Sequence, residues 1–491
     1  MLWATATDGG VVPDDVVATL DRLWKDLLLQ QFHDIIPGSS IAWVYEDAEA
    51  EHARIATACE ELIARAAHHM GLSAVGETDG ALVISNTATD ARCEVWSAPV
   101  GLTAPTGDGP TQVLHDGRIA AMVAVDGSGL AVHSAHACDD HVVVTEHTFT
   151  NGHLSVSWNL DGDIVSVIDV AAARELLPVG ETVRFELAPD QPVEYDAWDV
   201  EEWTRGLGSA LRPAHSIEVV DPGPLVATLR VTRHFGSSTL VEHVTLRAGS
   251  PRLDITVDVD WHEDEMLLSL MVPLAVHARE AACEIQFGHV MRPTHASNSW
   301  DAAKFEVGAH RWVDVSEPGF GVAVLNDGRY GHGVQDGGVR VSLLRAAKYP
   351  DPTQDHGQHR CTISLMPHVG GADGLASVIR EGERLNLPLR AIGRLQSPGA
   401  FAPSPVRIDT PVEGGAQVTA VKRADDGSGD LVVRLYETLG ARTPVTLRLP
   451  RRIERADRCD LLETPEAALD TADGIVSLVL RPFEIVTLRL A

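Results

Sequence analysis

The sequence predicts an α+β, mostly β protein: a short helical bundle at the amino end followed by antiparallel β-sandwich domains. Three observations predict it. Helical periodicity is confined to residues 1–72. From Ala81 onward, short alternating or β-branched runs are split by Gly, Asp and Asn turns. The length, 491 residues, gives room for about three cores at roughly 100–200 residues per domain. Composition narrows the function classes. Asp and Glu number 70 against 39 Lys and Arg, a net charge of −31. That excludes a nucleic-acid binder and a protein docked on anionic lipid, since both need a basic surface. No stretch approaches the roughly 18–20 consecutive apolar residues of a membrane span. The start, Met1 to Asp8, has neither a basic n-region nor a long apolar core, so no secretory signal is expected. Six cysteines (Cys59, Cys93, Cys138, Cys283, Cys361 and Cys459) lie far apart with no CxxC pair. This argues against a disulfide framework or a structural Cys–zinc site and for a reducing, cytoplasmic location.

Pro13-Asp14-Asp15 reads as a helix start, with Pro in the first turn and two acids at the positive end of the dipole. Val16, Leu20, Leu23, Leu27 and Val17, Trp24, Leu28 then recur at helical spacing and give a wide apolar face. The pattern runs to Ile36-Pro37-Gly38-Ser39-Ser40, where Pro and Gly break it and a serine can cap the next helix. A second long helix follows, with Ile41, Val44, Ala48, Ile55, Cys59, Leu62 and Ala66 on one side and Gly71 as its stop. A third member is needed to complete the bundle, and only Met1 to Thr7 is available for it, so the bundle is expected to be truncated.

The first β segments are Ala81–Asn86, Glu94–Pro99, His141–Thr150, Leu154–Trp158 and Ile164–Asp169. Val226–His234, Ser238–Arg247 and Arg252–Trp261 are longer alternating strands suited to a large antiparallel sandwich. Gln417–Lys422, Leu431–Glu437, Val445–Leu449, Ile475–Leu480 and Glu484–Leu490 repeat the habit near the carboxy end, after a linker at Gln396–Pro405. The expected organisation is a helical bundle at 1–72, a small β domain at 80–140, a large sandwich at 141–400 and a terminal sandwich at 401–491.

Chemistry concentrates in Gln31-Phe32-His33-Asp34-Ile35-Ile36-Pro37-Gly38-Ser39, where a His-Asp pair falls at the end of an apolar helix. Imidazole is a common Zn²⁺ ligand, and a neighbouring carboxylate can bind metal or substrate hydroxyls or orient the ring. The same pair can equally finish the helix through C-cap bonds, because one His is not a metal site. Asp355-His356-Gly357-Gln358-His359 places two His in a loop, and a hydrogen-bonded turn explains them better than a metal. His262-Glu263-Asp264-Glu265 lacks the second His of an HExxH helix.

The His33 segment resembles the signature of glycoside hydrolase family 38, the α-mannosidases. The resemblance continues in order along the chain through Glu194-Tyr195-Asp196-Ala197-Trp198-Asp199-Val200, Trp261-His262-Glu263, Arg292-Pro293-Thr294-His295, Pro350-Asp351-Pro352, Met366-Pro367-His368 and Pro482-Phe483-Glu484-Ile485. It implies a galactose-mutarotase-like supersandwich as the large β domain. It also implies zinc-dependent, retaining hydrolysis of terminal α-mannosides in glycan catabolism. His33 becomes the fourth zinc ligand and Asp34 the carboxylate beside the substrate sugar. Zinc would hold the 2- and 3-hydroxyls of mannose, and two carboxyl groups about 5–5.5 Å apart give net retention.

The chain also departs from the family. In full members an α/β domain precedes the bundle and carries the other zinc ligands, the nucleophile and the acid. Only 32 residues precede His33 here. The expected state is a fragment inactive by itself, whose partners are an α-mannoside, the missing α/β domain and, through the uncovered hairpin face, a second copy of the chain. Alternatives are a stand-alone carbohydrate-binding or scaffold protein, or one half of a split mannosidase completed in trans. Asp196, Trp198, Asp199, Arg292, His295, His356 and His359 receive no catalytic role.

Overall fold

The computed structural model describes residues 12–491 apart from 78, 103–104, 336, 397–405 and 450–451. The expected third helix at Met1–Thr7 and most of the expected linker lie outside the described residues. Helix α1 spans Asp14–Leu29 and α2 spans Ala42–His69. They run antiparallel, since Asp15 pairs with Arg65 at 2.8 Å and Asp26 pairs with Arg54. Val16 and Leu23 of α1 pack on Ile55 and Leu62 of α2. The other half of the predicted apolar face, Val17, Trp24 and Leu28, is exposed.

Two local expectations are corrected. α1 stops at Leu29 instead of running to Ile36, because the N–H groups of Gln30, Gln31 and Phe32 bond three residues back and tighten the chain into turns. His33 and Asp34 therefore lie in a turn, past the helix. No serine caps α2; Ile41 occupies that position without a side-chain bond. The carboxy end of α2 is as expected. Gly71 takes φ +81°, and the N–H groups of Gly71 and Leu72 return to the carbonyls of His68 and Ala67, a Schellman arrangement that needs the left-handed residue.

From Ala81 the protein is antiparallel β throughout the described strands. A nine-stranded sheet runs in the order Ser216–Pro222, Val226–Phe235, Ser238–Arg247, Leu253–Trp261, Gly357–His368, Phe320–Asn326, Trp312–Glu317, Glu280–Ile285, Gly288–Pro293. A six-stranded sheet is centred on Met266–Pro273 and Gly338–Arg345, and a five-stranded one on Leu154–Trp158 and Ile164–Asp169. Side chains alternate, so one row from each sheet meets in a shared core around Trp261, Phe185, Phe149 and Leu268. The predicted His141–Thr150 strand is two short ones, Val143–Val144 and Thr148–Thr150, folded into a hairpin. Five- and four-stranded sheets at the carboxy end enclose a separate core around Val433, Leu435, Leu447 and Leu488.

Ala81–Ser85 pairs with Arg390–Leu395, joining segments far apart in sequence. Between the large sandwich and that returning strand runs α3, Ala372–Asn386, which the sequence reading did not foresee. It packs Val378 and Ile379 against Trp312, Ala323 and Leu325 of the nine-stranded sheet. No helix among the described residues is long and apolar enough to cross a membrane.

Candidate metal and substrate site

The turn after α1 is open to water and braced from beneath. His33 and Asp34 have side chains 75% and 41% exposed, and His33 Nε2 lies 3.5 Å from Asp34 Oδ2. The other Asp34 oxygen accepts from Ser39 Oγ at 3.0 Å. The Tyr45 hydroxyl, on the first turns of α2, accepts the Ser40 N–H at 2.6 Å and donates to the Asp34 carbonyl at 3.2 Å. Burial, together with the negative charges of Asp351, Asp355 and Asp34, holds the Tyr45 phenol above its ordinary pKa, so it stays protonated and able to donate. Phe32 sits against His33 with ring centroids 4.3 Å apart. Gly38, at φ +82°, turns the chain back toward α2.

The large sandwich holds this turn in place. Gln354 Nε2 donates to the Gly38 carbonyl at 2.8 Å. Gln354 belongs to a loop ordered by Asp351, whose Oδ1 accepts from both the N–H and the hydroxyl of Thr353 at 2.9 Å. The start of that loop is fixed by the Asp196 segment. Asp196 Oδ2 accepts the N–H groups of Lys348 and Tyr349 at 2.5 and 3.0 Å. Arg345 pairs with Asp190 at 2.6 Å and donates to the carbonyls of Asp196 and Asp199. Asp196 thus works as a structural bracket, while Trp198 remains half-exposed beside it. Three stretches of chain converge: 194–199 grips 345–349, and 351–354 grips the turn that carries His33.

The other marked residues do not join this cluster. His356 pairs with Asp264 at 2.9 Å, and His359 meets the Asp355 carbonyl at 2.6 Å. His262 pairs with Asp260 at 2.8 Å. Arg292 donates to the Gly308 carbonyl, and His295 lies 3.7 Å from Asp301. Sequence reasoning missed Tyr45 and Gln354. The one available signal for Gln354 was its place just after the family-like segment Pro350-Asp351-Pro352; nothing marked Tyr45.

The exposed His33 imidazole is a donor of the kind zinc takes, and Asp34 Oδ2 lies 3.5 Å from its Nε2 with the other oxygen held by Ser39. For an ion the turn supplies the His33 donor and leaves the remaining positions to other groups. Among the described residues no group of three or more His, Cys, Asp or Glu side chains is placed to hold a metal ion.

Comparison with known proteins follows the same order along the chain. The family model for the alpha mannosidase middle domain matches residues 7–70. The model for the glycosyl hydrolases family 38 C-terminal domain matches 149–353, and that for the family's C-terminal beta sandwich domain matches 415–488. Alpha-mannosidase 2C1 of Homo sapiens is 35% identical over 494 residues, covering 96% of this chain and 45% of the relative. Alpha-mannosidase G of Dictyostelium discoideum is 29% identical, covering 96% and 48%. The chain spans about half the length of the curated relatives it matches. A crystal structure of an alpha-mannosidase from Enterococcus faecalis V583 superposes with a TM-score of 0.79 at 17% identity, over 100% of this chain and 65% of that one, which shows a shared fold. With middle and carboxy-terminal domain models matched in order and the fold shared, the chain belongs to glycosyl hydrolase family 38.

Proposed function

We propose that this chain is the substrate-side half of a zinc-dependent, retaining α-mannosidase acting on terminal α-mannosides in the cytoplasm. The observation that carries the reading is the exposed His33–Asp34 pair on a turn braced by Tyr45 and Gln354. His33 would be a zinc ligand through Nε2. Asp34 would accept hydrogen bonds from the sugar hydroxyls, its second oxygen being held by Ser39. When bound, zinc supplies Lewis-acid polarisation of the mannose hydroxyls. Tyr45 and Gln354 keep the two side chains where sugar and metal can reach them from solvent, and burial keeps the phenol protonated so that it donates to the Asp34 carbonyl. The remaining zinc ligands and the nucleophile are proposed to come from polypeptide outside this chain, so the chain alone has no turnover.

The test is a zinc titration of the chain against a competing chelator, run beside hydrolysis of an aryl α-mannoside. Weak zinc binding, weakened at least tenfold further by His33→Ala, is expected, with no release of the leaving group. Zinc binding that ignores His33→Ala would overturn the ligand assignment. Zinc-dependent turnover by this chain would overturn the division of the site between polypeptides.

A further inference from the structure

A cavity that shares no residue with the His33 turn lies where the strand Arg92–Ala98 meets the nine-stranded sheet and α3. Its volume is about 320 Å³, at the lower end for small-molecule sites and suited to one ring rather than an extended chain. The alternation of the strand puts Arg92, Glu94 and Trp96 on one face. Arg92 Nη1 donates to the Leu387 carbonyl at 2.7 Å and Trp96 Nε1 to the Leu389 carbonyl at 2.9 Å. These two bonds clamp the strand onto the segment after α3 and leave Glu94 between them, facing the cavity. Arg252 and Arg384 are near enough to stabilise its charge, yet Glu94 makes no hydrogen bond or ion pair with any described residue. Burial holds its carboxyl above the ordinary range.

The opposite wall is rigid and carries both signs of charge. Glu381 joins Arg252 at 2.6 Å to Arg384 at 2.7 Å, and Asp254 joins Arg252 at 2.9 Å to Arg247. The strand Arg92–Ala98 is at the edge of its sheet, bonded only to Ile119–Val125, so one row of its backbone donors and acceptors also borders this space. An anion would meet the carboxylates of Glu94, Asp254 and Glu381 and the field of a chain with net charge −31. A cation would meet four guanidinium groups, including Arg118 at the rim. A neutral ring bearing several hydroxyls satisfies donors and acceptors alike, with the Trp96 and Leu389 side chains as an apolar floor.

We infer that this cavity is a binding site for a single neutral pyranose, in which Glu94 and the flanking arginines bridge adjacent hydroxyls. The experiment is calorimetry and saturation-transfer NMR on the full chain with methyl α-D-mannopyranoside, methyl α-D-glucopyranoside and inorganic phosphate. Saturable binding of one equivalent of at least one glycoside is expected. Glu94→Gln should weaken it about tenfold by removing a charged or strongly polar hydrogen bond. Arg118→Ala, at a 44% exposed side chain, spares folding and should weaken it severalfold. His33→Ala should leave it unchanged, which separates this site from the turn. The inference is overturned if neither glycoside binds saturably, if binding follows His33 rather than Glu94 and Arg118, or if phosphate binds there in place of sugar.

Discussion

Replacing Tyr45 by Phe deletes one oxygen and, with it, both bonds that tie α2 to the turn. The Ser40 N–H to Tyr45 bond is short, 2.6 Å, and the Tyr45 to Asp34 carbonyl bond is longer, 3.2 Å. Taking the upper part of the usual range for the first and the lower part for the second gives about 2 kcal/mol together. Water reaching a half-buried phenol site can replace part of this, so about 1 kcal/mol is the floor. Local opening of the turn should therefore rise by about fivefold to thirtyfold. Hydrogen exchange over residues 34–45 reads this directly, because Tyr45 is the partner of the Ser40 amide. Global stability in denaturant should fall by no more than that same amount, about 1–2 kcal/mol, since Val16, Leu23, Ile55 and Leu62 remain packed. With the closed turn still the major form, zinc affinity should change little in Tyr45→Phe and strongly in His33→Ala. Combined with Gln354→Ala, which removes the other brace, the effect should exceed the sum of the two single changes. Unchanged exchange at Ser40, or an increase spread evenly along α2, would refute the bracing argument.

Other expectations follow from burial and charge. A Cβ on Gly321 would lie inside van der Waals contact of Ser316 Oγ and the His368 ring; both groups bond Asp314, His368 at 2.8 Å. Gly321→Ala should cost about 2–4 kcal/mol in a urea titration. His332 is fully buried, and desolvation holds it down to about 4. Between its free value near 6.5 and 4 the unfolded chain takes up the proton first, so this group makes stability fall as pH falls, by up to about 3 kcal/mol. Buried Glu242 and Glu383, pushed up to about 7, act in the opposite sense. The readout is thus the stability of the parent minus that of His332→Leu, which should move against the parent by up to about 3 kcal/mol as pH drops from about 6.5 to about 4. Val17, Trp24, Leu28, Phe32 and Ile36 are all more than half exposed along α1 and the turn that follows it. The chain should self-associate as its concentration rises, and Trp24→Ser should reduce that association in sedimentation velocity runs.

Periodicity made α1 and α2 legible because each buries one stripe against the other. Alternation did the same for Ser238–Arg247 and Leu431–Glu437, which the structure bounds as the sequence suggested. α3 escaped notice for a physical reason. Gly374 and Gly382 interrupt its pattern, and both are imposed by neighbours: a Cβ on Gly382 would stand 3.0 Å from Trp312 Cδ1. Its buried positions include Glu381 and Glu383, which reach Arg252 and Gln417 of other segments, so polarity misreports its environment. The end of α1 was misjudged because apolar residues continue through Phe32, Ile35 and Ile36 after the helical bonds have stopped. At the site, His33 and Asp34 were visible as a pair, whereas Gln354 acts from a position whose closeness to Gly38 exists only after the sandwich has folded.

The pairing of Ala81–Ser85 with Arg390–Leu395 has a consequence for biosynthesis. Arg394 also reaches the Gly80 carbonyl across 314 positions of sequence. At roughly 5–20 residues per second, the ribosome takes about 15–60 s to supply the second strand after making the first. During that interval the early strand presents an unpaired, apolar edge to the cell, so the nascent chain should lean on chaperones until its far partner emerges.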